Sequence, residues 1–349
     1  MSTYLPRKIR YIALFTSVMI SACTTTQQPV APPPPKPVVT TPTPPPPLSI
    51  TQRPISERVQ EPLVKGAANH AVLMQQILSI PDQTVSEPTD LNAIMDGLAQ
   101  VFSPSLGPAL IGYGSLVAVQ NTEFSEGVLE RARYQGIDSV IYQLYSDPNY
   151  AASLPGASSA GKDIQSAWAS DVAAIGRTGA HIKSLSYDLQ KQKSWKKMRA
   201  DSRPERLRSL ENAKSLRYEA PYQTRSEIAK IGTLRASDND TAQKRQKFWQ
   251  TYGRNAPPIS QTFATQYQSV MHRKALTLSA LEILGASGND SKTWIDNYMT
   301  SPRLNRCITT ARLNTAQCIA AGHYKYEDAF CIAEHELKEI SNCLTKSIL

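Results

Sequence analysis

The chain has 349 residues, 41% of them apolar, and a formal net charge of +9. That length suits one large domain or two small ones, and the apolar share is ordinary for a chain that buries a core. Only 16 Gly and few β-branched runs argue against an all-β architecture, while the 25 Pro and the positive charge are both concentrated locally.

Residues 1–22 have the three parts of an export signal. Arg7, Lys8 and Arg10 form a basic start, and Tyr11 to Ile20 is an uncharged apolar stretch. Those ten residues are too few to span a bilayer, which takes about 20. Ile20-Ser21-Ala22-Cys23 follows. This tetrapeptide resembles the lipobox of bacterial lipoproteins, in which a branched apolar residue and two small ones precede an invariant cysteine. The resemblance covers only the first two dozen residues. It implies cleavage before Cys23, diacylation of that cysteine and attachment to a membrane, since two acyl chains anchor stably where one does not. Thr24, rather than Asp, stands after the cysteine. By the same resemblance the destination is the periplasmic face of the outer membrane; the periplasmic leaflet of the inner membrane is the alternative.

Residues 23–54 read as a lipidated, Pro-rich disordered tether. Pro32 to Pro35, Pro37 and Pro44 to Pro47 fix φ and remove amide donors, which excludes helix and sheet. The expected form is extended polyproline II, reaching on the order of 60 Å. It would hold the folded part near the cell-wall layer.

Helical periodicity begins at about residue 55. Asn69 to Ile80 is apolar at helical spacing and stops at Pro81; Thr89 or Asp90 is placed to cap a helix through Leu91, Ile94, Leu98 and Val101. No charged residue lies between Asp96 and Glu123. The centre of that stretch, Leu106 to Val119, reads as a buried central helix; a membrane-inserting hairpin is the alternative. Gly112-Tyr113-Gly114 lacks the preceding strand and following lysine of a phosphate loop. Phe124 to Tyr145 reads as one helix. A long amphipathic helix is predicted over about 162–198, with Ile164, Trp168, Ile175, Ile182, Leu185 and Leu189 on one stripe that Asp171 and Thr178 interrupt. A second long helix is predicted over about 259–284, from the Pro257-Pro258 pair to Gly285. Two such stripes would bury on each other and on the shorter helices.

Residues 183–217 carry eleven Lys and Arg against four acids, an excess of seven. Loss of Arg7, Lys8 and Arg10 with the signal takes the mature charge from nine to six, so this segment alone exceeds it. Lys191, Lys193, Lys196, Lys197, Arg199, Arg203, Arg206 and Arg208 are the candidate anion-binding residues, with Trp195 among them to stack on a sugar or meet a lipid surface. Export makes nucleic acid an unexpected partner. The polyanions at hand would be lipid phosphates, lipopolysaccharide and the peptide carboxylates of peptidoglycan. A solvated helix end is the plainer reading.

The remaining cysteines, Cys307, Cys318, Cys331 and Cys343, lie in the last 43 residues. An even count in an oxidising compartment reads as two disulfides. Helices are expected over 303–321 and about 325–347, with Gly322 at the turn. In an antiparallel hairpin Cys318 and Cys331 flank the turn while Cys307 and Cys343 lie further out, so Cys318–Cys331 nests within Cys307–Cys343. Cys307 and Cys318, eleven apart, share a helix face, whereas Cys331 and Cys343, twelve apart, fall roughly a third of a turn out of phase. The spacing is similar to that of twin-cysteine helical hairpins such as the twin CX9C class, with CX10C and CX11C as the departure. A metal site built from His323, Glu327, Cys331, Glu334 and His335 is the rival, and no metal or other cofactor is expected.

No catalytic context surrounds His70, His181, His272, His323 or His335, and the acids are scattered. The expectation is therefore an all-α helical bundle over 55–300, with a disulfide-linked hairpin, 301–349, packed on it. Its expected role is a non-enzymatic envelope module for a wall polymer or periplasmic protein. A glycan-cleaving enzyme and a membrane-perturbing protein are the alternatives.

Overall fold

Capping and proline chemistry set most helix boundaries. The computed structural model describes residues 53–232 and 269–348; the signal peptide, Cys23, the tether up to residue 52 and the 259–268 part of the second long helix lie outside them. All the described residues belong to one compact unit. Helix α1 (Pro62–Ser79) starts on Pro62, which needs no amide partner in the first turn, and so begins earlier than the predicted Asn69. Helix α2 (Pro88–Leu98) is capped by Glu87 rather than by the expected Thr89 or Asp90. Asp90 sits inside the first turn and its Oδ2 accepts the amides of Ser86 and Glu87 at 2.8 and 2.9 Å. Those two bonds hold its carboxyl below the usual range.

Helix α3 (Leu106–Val119) is the centre of the molecule, buried along nearly its whole length. It packs against α1, α6 (Ala157–Lys191) and α9 (Val270–Ile283). Its glycines permit this. A Cβ on Gly112 would lie 3.1 Å from the Gly66 Cα of α1, and one on Gly114 would lie 2.4 Å from the Trp168 ring of α6. No described helix is long and apolar enough by itself to cross a membrane; the bent pair formed by Pro88–Phe102 and Leu106–Val119 has the length and composition. Most apolar side chains of that pair are buried in packing.

The expected single helix over 124–145 is two: α4 (Thr122–Gln135) and α5 (Ile137–Ser146). Gly136 between them has φ of 86°, a left-handed value that ends one helix and starts the next. Helix α6 begins after Gly156, also left-handed, and ends where Gln192 turns extended, short of the predicted 198. A single turn, Lys193–Lys196, follows. The residues that interrupt its apolar stripe bind α1 instead. Asp171 meets His70 Nε2 at 2.8 Å, and Thr178 donates to the Ile77 carbonyl at 3.3 Å.

Then come α7 (Arg203–Ala213) and α8 (Tyr222–Gly232). Helix α9 begins at Val270, where the Ser269 side chain accepts the His272 amide, so no helix runs unbroken from 259. Among the described residues helix α6 has no partner of its own length; it leans on α3, α1 and the C-terminal helices. At the end of α9, Arg53 bonds Glu61, Glu282, Ser287 and the Gly285 carbonyl.

After α10 (Lys292–Tyr298) the hairpin forms from α11 (Pro302–Ala321), α12 (Lys325–Cys331), a π turn (Ile332–Leu337) and α13 (Lys338–Ile348). Cys307–Cys343 and Cys318–Cys331 are bonded in the expected nested order, with Cα separations of 5.7 and 5.6 Å. The hairpin packs on α6, where Ser341 donates to the Val172 carbonyl at 3.1 Å. No named strand occurs among the described residues, and the fold is an all-α bundle with a disulfide-stapled hairpin.

Candidate functional site

The basic segment is stitched to the turn of the hairpin. Its Met198 carbonyl accepts the Lys325 amide at 3.0 Å, and its Ala200 amide donates to the His323 carbonyl at 3.1 Å. Two of the residues expected to meet an anion are spent on this docking. Trp195 is 2% exposed and belongs to the core, so it cannot stack on an external sugar. Arg206 is buried, with Nε 2.9 Å from Asp328 Oδ1 and Nη1 donating to the Gly322 carbonyl at 3.0 Å. A buried guanidinium in that geometry serves the fold rather than a ligand. Lys325, fully buried, completes the cluster by bonding Asp201 at 2.7 Å and Asn92 at 2.5 Å. The Lys325 bond holds the Asp201 carboxyl below its usual range, with help from Asn92.

The other candidates stay at the surface. Lys191 pairs with Asp188 at 3.0 Å on the same helix. Arg199 lies 4.9 Å from the centre of the Tyr324 ring, whose plane is in turn parallel to that of Tyr326. Arg203 and Arg208 are exposed, and Arg208 lines a small polar cavity that also contains Asp201 and Glu205. Lys193, Lys196 and Lys197 are exposed and have no carboxylate partner among the described residues.

Beside this strip, α6 and the hairpin turn enclose a groove of about 350 Å³ over the Cys318–Cys331 bridge. Tyr187, Tyr326 and Phe330 supply aromatic walls; Gln190 and Glu327 supply polar groups. Tyr187 is 47% exposed and meets Phe330 edge-on, with ring centres 6.4 Å apart. Lys183 stands 5.3 Å from the Phe330 ring centre and bonds Glu334 at 2.7 Å. Bonds from Lys183 and Lys338 pull the Glu334 carboxyl down to about 2. Glu327 is already engaged, its carboxylate accepting the amides of His323 and Tyr324. The sequence offered no sign of this groove, because Tyr187 lies off the apolar stripe of α6 and more than a hundred residues before Tyr326 and Phe330.

Acid–base cleavage of a glycan needs one carboxyl held protonated next to substrate. Among the described residues the carboxyls pushed upward are Glu61 and Glu336, by burial in both cases. Glu61 is locked to Arg53, and neither residue lines the groove or the Arg208 cavity. Of the residues named for a metal site, Cys331 is bonded to Cys318, Glu334 to lysines, and His335 to Glu339 at 2.7 Å. Among the described residues no group of three or more His, Cys, Asp or Glu is placed to hold a metal. No family model, curated protein or solved structure matches the chain.

Proposed function

We propose that this protein is a lipid-anchored envelope module, tethered through Cys23 to the periplasmic face of the outer membrane, whose helical domain binds peptidoglycan without cutting it. The observation that carries the reading is the groove between α6 and the hairpin turn. Aromatic rings with one exposed face accept the apolar faces of sugars, and neighbouring amide and carboxylate groups orient hydroxyls. The adjoining Lys193, Lys196 and Lys197 would meet the carboxylates of the wall peptides, adding attraction that falls with salt. The Pro-rich tether has the reach to place such a groove at the wall.

The full chain in non-ionic detergent, mixed with purified peptidoglycan sacculi, tests this. Retention without release of soluble fragments is expected. Tyr187→Ala should weaken it about tenfold, or about 1.4 kcal/mol, and Lys193→Glu with Lys197→Glu should weaken it further at low salt. Soluble fragments, or undiminished retention of Tyr187→Ala, would overturn the reading. The anchor is tested separately: labelled palmitate should be incorporated by the native chain and not by Cys23→Ser.

A further inference from the structure

Charges far apart in sequence meet at the opposite end of the hairpin from the aromatic groove. The first turn of α9, the first turn of α11 and the last turn of α13 surround a cavity of about 380 Å³. Arg273, Lys274, Arg303 and Lys346 line it together with Ser269, Ser301 and Ser347, and none of the lining residues is a carboxylate; the Ser347 hydroxyl is spent on the Cys343 carbonyl and the Ser269 hydroxyl on His272. Arg303 and Lys346 are exposed and have no ion pair among the described residues. Lys274 is half-withdrawn from water, donating to the Thr300 carbonyl at 2.6 Å and lying 5.1 Å from the Tyr298 ring centre.

Two features beyond the cations favour an anion here. Two helices, of 14 and 20 residues, begin at the same cavity, and their dipoles add positive potential, while Ser269 and Ser301 cap the His272 and Leu304 amides. The Cys307–Cys343 bridge also fixes the geometry. Arg303 is one turn before Cys307 and Lys346 is almost one turn after Cys343, so each lies on the face of its helix that carries the bonded cysteine. The bridge thereby holds two like charges at one cavity, which repulsion would otherwise separate. The basic run at 183–217 contrasts with this, since several of its cations are consumed by Asp188, Asp328 and Glu334.

We infer that this cavity is a binding site for a phosphate group, a compact dianion that accepts from lysine and guanidinium donors at once. The cavity could take free pyrophosphate or the phosphate of a lipid headgroup, since both present the same oxygens. The site is independent of the groove, and either can fail without the other.

Phosphorus NMR titration and calorimetry on the full chain in non-ionic detergent test it, with inorganic pyrophosphate and, separately, dihexanoyl phosphatidic acid as probes. Saturable binding of either probe is expected. It should weaken at least tenfold in Arg303→Ser with Lys346→Ser, which are exposed changes that leave the thermal midpoint of the unliganded protein in place. Tyr187→Ala and Arg203→Ser should bind as the native chain does. Binding of pyrophosphate supports a soluble ligand; binding of phosphatidic acid alone supports a headgroup. Binding of neither probe, or binding unchanged in the Arg303/Lys346 variant, would overturn the site.

Discussion

Glu336 is 1% exposed, and burial raises its carboxyl well above the ordinary 4.5. The folded state therefore keeps a proton that the unfolded chain releases above about that pH. Its stabilising share is full in acid and is lost as pH rises through the folded value. Glu336→Gln removes this dependence. Its thermal midpoint should match the native one near pH 4 and exceed it by a few degrees at pH 8, read by circular dichroism. Glu334, two residues away, has the opposite sign: its contribution is present above the ordinary range and is lost as pH falls through about 2. Because it pairs with lysines near the surface, that contribution is screened and small. Packing makes comparable demands at Gly114. A methyl there would enter the Trp168 ring, whose Nε1 donates to the Leu110 carbonyl at 3.0 Å. Gly114→Ala should cost roughly 1–3 kcal/mol in urea unfolding.

At the scale of elements, the π turn resolves a mismatch that was visible in the cysteine spacing. Twelve residues of regular α-helix would leave Cys343 about a third of a turn away from the face of Cys331. A π turn closes i→i+5 bonds and so takes in one extra residue. Across Ile332–Leu337 the twelve-residue step then has the phase of eleven, matching Cys307 and Cys318 on the partner helix. Deleting Ala333 should restore a regular helix and rotate Cys343 away from Cys307. Two free thiols, found by alkylation and mass measurement, are the expected result. The pairing was legible because it depended on order along a hairpin. The π turn was not, since its cause is a bonded partner across the hairpin and packing against α6. Gly136 is a similar case: the apolar spacing runs through it, yet its φ of 86° divides the helix.

For the whole molecule, the hairpin is both a staple and a wall for two cavities, so its bridges differ in consequence. Cys307–Cys343 closes a separation of 36 residues and Cys318–Cys331 one of 13. The longer loop restricts the unfolded chain more, by about 1 kcal/mol. Paired Cys→Ser variants of the outer bridge should unfold at lower urea than those of the inner bridge. Local patterns in the sequence determined the all-α class, the buried helix at 106–119, the hairpin and its nested disulfides, because periodicity, proline and cysteine order act over short stretches of chain. Only the tertiary structure decided which charges face solvent. Trp195 and Arg206 are drawn inward by partners on the hairpin, while Arg273, Lys274, Arg303 and Lys346 converge from three helices. A run of charge in sequence says how many cations a segment carries. Where they point depends on the surfaces those helices bury, and that is set by contacts between residues distant along the chain.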